Sequence, residues 1–183
     1  MTKNAIRKLT FEEIFNRQPN LDELQQLERL PIYALVENIR SMHNVGSIFR
    51  SSDGVRLKKL FLSGYTAQPP RREIDKTALG ATDSVPWEYA KDALPVICRL
   101  KEKKVQIVVV EHTSNSVPYT RAQYRFPLCV VMGNEVDGVS QEVVKEADLA
   151  VDLPMLGIKQ SLNVSVAYGI VLYHILYKYQ KIK

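Results

Sequence analysis

No run of about 18 uncharged apolar residues occurs in the chain, which excludes a helix able to span a bilayer. The first residues, MTKNAIRKLTFEEIF, have no apolar core of the kind a secretory signal carries, so a cytoplasmic location is expected. Cysteine is scarce: Cys98 and Cys129 are the only two, each set among apolar neighbours. That argues against a disulfide framework and for reduced core thiols. The three histidines, His43, His112 and His174, share no ligand-like spacing with cysteines or acids, so no metal centre is expected. Neither G-x-G-x-x-G nor a Walker A loop is present, which disfavours dinucleotides and nucleoside triphosphates. A G-x-S-x-G elbow is missing as well, and with it the usual setting of a serine nucleophile.

What is there suits a single α/β domain. The 183 residues are 45% hydrophobic and 25% charged, enough for a core and a solvated surface. The formal charge is +5. Its distribution is uneven. Between Asn38 and Lys76 lie Arg40, Arg50, Arg56, Lys58, Lys59, Arg71, Arg72 and Lys76, against only Asp53, Glu73 and Asp75. Such an excess fits a nucleic-acid backbone, and on charge alone a solvated face fits equally well.

Residues 1–30 read as a short helical arm. Thr10 with Glu13, and Asn20 with Glu23, fit two capping boxes separated by Pro19. From residue 31 onward short apolar runs alternate with helical stretches. Strands are expected at 32–36, 59–62, 105–110, 128–132 and 149–153, and helices at 45–53, 93–103, 141–147 and 162–179. This alternation predicts a parallel sheet covered on both faces. Ligands of such sheets bind outside the carboxyl ends of the strands, so the loops after strands are the candidate sites.

Three of these loops stand out. The first runs from Asn38 to Gly54, with Asn44 as the expected N-cap of a helix. Val45, Ile48, Phe49, Ser52 and Val55 form its core arc, while Gly46, Arg50 and Asp53 fall on the other side. Arg50 there suits a bidentate phosphate contact, or a plain surface pair with Asp53. The second, from Val130 to Ser140, places Gly133 and Gly138 after a buried strand, where glycine lets backbone approach a ligand; a tight turn is the alternative. The third, from Asp152 to Ala167, leads into a helix with an expected cap at Ser161. Val166, Ile170 and His174 are its expected buried stripe, and Ser161 and Asn163 lie in its first turn, beside free N–H donors. Ordinary capping is the alternative there.

Taken together, the segments resemble the three motifs of the SpoU (TrmH-like) branch of the SPOUT superfamily. Asn44 and Arg50 match motif one. Gly133 and Glu135 match motif two. The run P-M-x-G…S-L-N-V-S-V-A from Pro154 to Ala167 matches motif three almost unbroken. The resemblance covers 31–183 and implies a parallel-sheet α/β SPOUT fold with a C-terminal deep trefoil knot, contrary to the general rarity of knots. It also implies a homodimer with interfacial active sites, and S-adenosylmethionine as cofactor, held near Gly133, Leu153 and Leu162. The implied reaction is methylation of a ribose 2′-hydroxyl in tRNA or rRNA, tRNA being favoured for so compact a chain.

By the same resemblance Arg50 is catalytic, with Asn44, Glu135, Ser161 and Asn163 orienting it and the ribose. A guanidinium holds its proton too tightly to be a comfortable base. Gripping phosphate and stabilising the developing alkoxide suits it better. Arg40, Arg71, Arg72 and Lys76, the last three in an expected loop after Pro69-Pro70, are the RNA-contact candidates. Two rival readings are an RNA-binding relative without methyltransferase activity and a base-modifying SPOUT enzyme.

Overall fold

The protein is described by a computed structural model over residues 6–182. Two short helices come first, α1 (Phe11–Phe15) and α2 (Leu21–Gln26). Both expected capping boxes form, with Thr10 and Asn20 as N-caps and Glu13 and Glu23 reaching back to them. Only Leu24 of these helices is buried, so their stability comes from local caps more than from packing.

The body follows as β1 (Ile32–Glu37), α3 (Met42–Gly54), β2 (Lys59–Ser63), α4 (Arg72–Ala78), α5 (Ala81–Ser84), β3 (Trp87–Ala90) and α6 (Ala93–Glu102). It continues with β4 (Gln106–Val110), β5 (Val117–Pro118), β6 (Leu128–Met132), α7 (Gln141–Lys145), β7 (Leu149–Asp152) and α8 (Val164–Ile182). The strands make one sheet in the order β3-β2-β1-β6-β4-β7-β5, and every pairing is parallel. The expected parallel α/β sheet is therefore present.

Central strands are apolar along their length because both faces are covered. Ala34, Val36, Val108, Val130 and Met132 point to a cluster built with Ile48 and Phe49 of α3 and Tyr168, Val171 and Leu172 of α8. Leu35, Ile107, Val109, Cys129 and Val131 point the other way, to Ile97 of α6 and Val143 of α7. The hydroxyls of Ser52 and Tyr168 meet at 2.7 Å inside the first layer, so burying them leaves neither unsatisfied.

Several expectations need correction. Cys129 is buried but Cys98 is exposed, because it sits on the outer side of α6, whose buried positions are Ala93, Val96, Ile97 and Leu100. Gly46 is buried against α4: a Cβ there would lie 2.1 Å from Thr77 Oγ1 and 2.3 Å from the Ile74 carbonyl oxygen. The helix wheel gave α3 one covered face, whereas α4 covers a second.

The stripe on α8 is also displaced. Val164, Ala167, Tyr168, Val171, Leu172 and Ile175 are buried, whereas Val166 and Ile170 are exposed. On so apolar a helix, periodicity alone does not choose the inward face. Strands β3 and β5 and helices α4 and α5 were not anticipated. Each is short, and β3 is a half-exposed edge without an apolar run. No helix among the described residues is long and apolar enough to cross a membrane.

Candidate active site

A cleft of about 470 Å³ opens at the carboxyl ends of β4, β6 and β7, where a parallel sheet is expected to receive ligands. Its floor and walls include Gly133 to Gly138 after β6, Leu153 after β7, and Gln160 to Val164 leading into α8. Gly133, Leu153, Leu162, Glu135, Ser161 and Asn163 are thus brought to one place.

Gly133 has no room for a side chain. A Cβ on it would lie 2.1 Å from both the Gly138 carbonyl carbon and the Val139 nitrogen. Gly138 has φ +71°, and a Cβ there would meet the Glu111 carboxylate at 2.1 Å. The two glycines therefore let the turn fold back on itself, closed by reciprocal backbone bonds between Asn134 and Gly138. Asn134 braces the turn: its Oδ1 accepts from the Val136 and Asp137 N–H groups, and its Nδ2 donates to the Asn38 carbonyl at 2.9 Å.

Hydrogen bonds join the three segments. Asn44 Nδ2 donates to Glu135 Oε1 at 3.1 Å. Asn44 Oδ1 accepts from Asn163 Nδ2 at 3.1 Å, and the Ser165 hydroxyl donates to Asn163 Oδ1 at 2.7 Å. Glu135 also accepts from the backbone N–H groups of Arg40 and Ser41. Asn44 is not the helix cap that the sequence suggested. Helix α3 starts earlier, and Ser41 caps it by accepting from Asn44 N–H, which frees the Asn44 amide for this network. Nor does Ser161 cap α8. Asn163 does, through Oδ1 to Ser165 N–H at 3.0 Å. Ser161 lines the cleft outside the network.

Partial burial pushes the Glu135 carboxyl pKa up. Donation from the Arg40 N–H, the Asn44 amide and the Glu135 and Ser41 N–H groups outweighs this, and the net shift is below the ordinary 4.5. A carboxyl whose pKa is lower folded than unfolded stabilises the fold above its unfolded pKa. That contribution is lost as pH falls through the folded value. Urea midpoints should therefore drop more for the wild type than for Glu135→Gln on going from about pH 7 to about pH 3. Parallel losses would show that the carboxylate is not coupled to folding.

Arg50 does not join this group. It is exposed on α3, outside the cleft lining and the network. It lies six residues beyond Asn44, which places it roughly 9 Å further along the helix axis and on another side. The alternative pairing with Asp53 does not form either: Asp53 accepts from the Ser84 hydroxyl, and among the described residues no ion pair involves Arg50. Arg40, Arg71, Arg72 and Lys76 are all exposed. Arg72 and Lys76 lie on α4, with Arg71 at its N-cap, in place of the expected loop.

Two cleft residues were missed, Glu111 and His112. Both directly follow β4, so the strand-end rule could have found them. Glu111 ties β4 to the second segment by accepting from Val139 N–H at 2.9 Å. His112 Nε2 lies 3.0 Å from the Gln160 carbonyl oxygen and links β4 to the third. Among the described residues no cluster of three or more His, Cys, Asp or Glu side chains could hold a metal ion.

Residues 31–173 match the SpoU rRNA Methylase family. The chain belongs to that family. Among its relatives is the tRNA (guanosine(18)-2′-O)-methyltransferase of Aquifex aeolicus (strain VF5), 33% identical over 158 residues, covering 86% of this chain and 74% of that protein. The enzyme of the same description from Escherichia coli (strain K12) is 30% identical over 165 residues, covering 88% of this chain and 65% of its own length. This SpoU chain thus spans about two thirds to three quarters of these relatives. The solved structure of the A. aeolicus TrmH/SpoU tRNA modifying enzyme superposes with a TM-score of 0.80 at 29% identity, covering 93% of this chain and 84% of that one. An AdoMet-bound rRNA methyltransferase from Sinorhizobium meliloti gives 0.75 at 27%, covering 85% and 60%.

Proposed function

We propose that this SpoU family member transfers a methyl group from S-adenosylmethionine to the 2′-hydroxyl of a ribose in structured RNA, with tRNA favoured over rRNA. The observation that carries this reading is the bonded chain Glu135–Asn44–Asn163. It gathers one polar side chain from each motif at the mouth of the strand-end cleft. The preference for tRNA follows the names of the A. aeolicus and E. coli relatives.

The cleft fits the cofactor. Its volume of about 470 Å³ lies within the usual range for small-molecule sites. Gly133 exposes backbone there, and Met132, Leu153, Leu162 and Val164 offer apolar wall. Gly133, Leu153 and Leu162 are the residues assigned to hold it. When bound, the cofactor supplies an electrophilic methyl on a positively charged sulfur. The protein then has to align a hydroxyl and ease the loss of its proton. Asn44, Glu135, Asn163 and Ser161 orient the ribose at the cleft mouth. Arg50 grips phosphate and stabilises the forming alkoxide, with its own proton retained; the hydroxyl proton passes to solvent water at the open cleft mouth as the methyl is transferred.

Because Arg50 lies away from its own chain's cleft, the complete site needs a second copy. The assigned assembly is a homodimer in which Arg50 serves the partner's cleft. Helix α8 offers a face for it: Val166, Ile170, Tyr173 and Tyr177 are exposed at spacings of four, three and four residues. Apolar stripes of this kind on helices commonly meet a partner. Gly54 of α3 lies beside Tyr173, where an added Cβ would come within 2.4 Å of the tyrosine hydroxyl, so the Arg50-bearing helix borders the stripe.

The trefoil knot belongs to the same proposal. Residues 153–163 connect β7 to α8, and Leu153, Met155 and Gln160 among them line the cleft together with Gly133; this is the segment assigned to the threading. Residues 1–30 are assigned as an arm for partner or RNA, its exposed Phe11, Ile14 and Phe15 being the contact candidates; Met1 to Ala5 lie outside the described residues. The proposed location is the cytoplasm.

RNA contact is assigned to Arg40, Arg71, Arg72 and Lys76. Incubation with labelled cofactor and total tRNA, followed by mass spectrometry of nucleosides, should reveal 2′-O-methylated ribose. Affinity should fall steeply with salt, and replacing Arg71 and Arg72 by alanine should flatten the log–log slope by about 1.5. A flat dependence in the wild type would remove this surface from RNA binding, and unmethylated RNA would remove the activity.

A further inference from the structure

We propose that Tyr65 is a specificity-determining residue: its ring is a preset platform on which a nucleobase at the methylation site stacks. The proposal rests on the RNA-methylation reading above and adds the residue that receives a base.

Tyr65 follows β2. Along the carboxyl edge of the sheet the cleft lies over β7, β4 and β6, residues 38–41 follow β1, and Tyr65 follows β2. Tyr65 thus stands beside the cleft, with its hydroxyl on the cleft residue Asn134, and shortly before Arg71 and the cationic start of α4 in the chain.

Tyr65 is 56% exposed, although its side chain is fixed at both ends. At its base, the Tyr65 N–H donates to Asn38 Oδ1 at 3.1 Å. Asn38 adopts a left-handed φ of +59°, and Gly64, also left-handed, leaves space for the Asn38 amide; a Cβ on Gly64 would lie 1.9 Å from it. Next in sequence, Thr66 is buried and accepts from the Ile39 N–H at 3.0 Å. At its tip, the Tyr65 hydroxyl accepts from Nδ2 of Asn134, the residue that braces the Gly133 turn. Exposed tyrosines ordinarily lose rotamer freedom on contact. Here that loss is already met in the free protein, which favours binding of a flat partner.

The class of partner follows from the setting. Unpaired bases in RNA are received on aromatic rings while cationic side chains hold the phosphates. Tyr65 supplies the ring, and Arg40, Arg71 and Arg72 supply the charges. Stacking tolerates any base, so Tyr65 selects for an unstacked nucleotide rather than for one base identity. The residues that follow it in the chain, Gln68, Pro70, Arg71 and Arg72, are exposed and mostly polar, which suits a nucleic acid better than an apolar protein ligand.

Four measurements test this on the full chain with tRNA. Tyr65→Ala should reduce kcat/KM by roughly 5- to 150-fold, the value of one stacked base, with cofactor affinity unchanged. Tyr65→Phe keeps the ring and loses the bond to Asn134, and should stay within about threefold of wild type. A merely structural Tyr65 would instead make both variants defective and weaken cofactor binding together. Tyr65→Trp should remain active, and its indole emission should be quenched when RNA is added, against a wild-type control carrying only Trp87. Unquenched emission in an RNA-bound complex would overturn the stacking role. Methylation by Tyr65→Ala at the wild-type rate would do so too, while leaving the methyltransferase reading intact. RNA-dependent quenching in Tyr65→Trp, together with a wild type that binds RNA but never methylates it, would retain the platform and reject the reaction.

Discussion

Replacing Arg50 by alanine should lower methylation by about 100- to 1,000-fold, the range for loss of one group that stabilises developing negative charge. Cofactor affinity should hardly change, because Arg50 is assigned to the RNA phosphate and the forming alkoxide rather than to the cofactor. The exposed position of Arg50, without an ion pair among the described residues, means that its removal also leaves the fold intact. The stronger experiment mixes two inactive proteins. One carries Arg50→Ala with an intact cleft. The other carries Gly133→Val, with an intact arginine and a blocked cleft. If Arg50 serves the partner, half of a random equal mixture is mixed dimers, each with one complete site, so activity recovers to about a quarter of wild type. If Arg50 serves its own cleft, every site in the mixture lacks something and no activity returns. Near-normal turnover by Arg50→Ala alone would take the residue out of the mechanism.

Gly133→Ala should be the most damaging one-carbon change in the cleft. The added methyl would lie 2.1 Å from backbone atoms of Gly138 and Val139, and backbone cannot step aside as a side-chain tip can. Overpacking of this kind costs about 1–3 kcal/mol. The turn would have to open to accept it, disturbing the reciprocal Asn134–Gly138 bonds and the wall assigned to the cofactor. Calorimetry should show cofactor affinity at least about tenfold weaker, equivalent to about 1.4 kcal/mol, and urea unfolding should show the stability loss. Unchanged affinity in a destabilised protein would mean that the turn is structural and that the cofactor lies elsewhere in the cleft.

These two expectations differ in how much of them a reader of the sequence could have written. Glycines after an apolar strand are visible in the sequence, and so is the rule that places ligands at strand ends. That Gly133 admits no methyl is not visible. Its obstacle is the turn's own return strand, and the closeness comes from folding Val136 to Gly138 back beneath Asn134. Asn44 shows the same division. Its side chain reads as a cap because the residues after it carry the core pattern. Ser41 takes that task, and the Asn44 amide turns instead to Glu135 and Asn163, which are 91 and 119 residues away.

The sequence by itself determined the layer order, the parallel sheet and the three polar strand-end segments. Those rest on local periodicity, and period is a property of neighbouring residues. Apolar runs of β-branched residues can only be covered on both sides, and short helices between them supply the cover. Tertiary structure decided which face of α8 turns inward, that α4 buries Gly46, and that Arg50 stays out of its own chain's cleft. Each depends on what stands opposite a residue in space. Opposition across a sheet or between helices is fixed by the packing of distant segments, which no local pattern encodes.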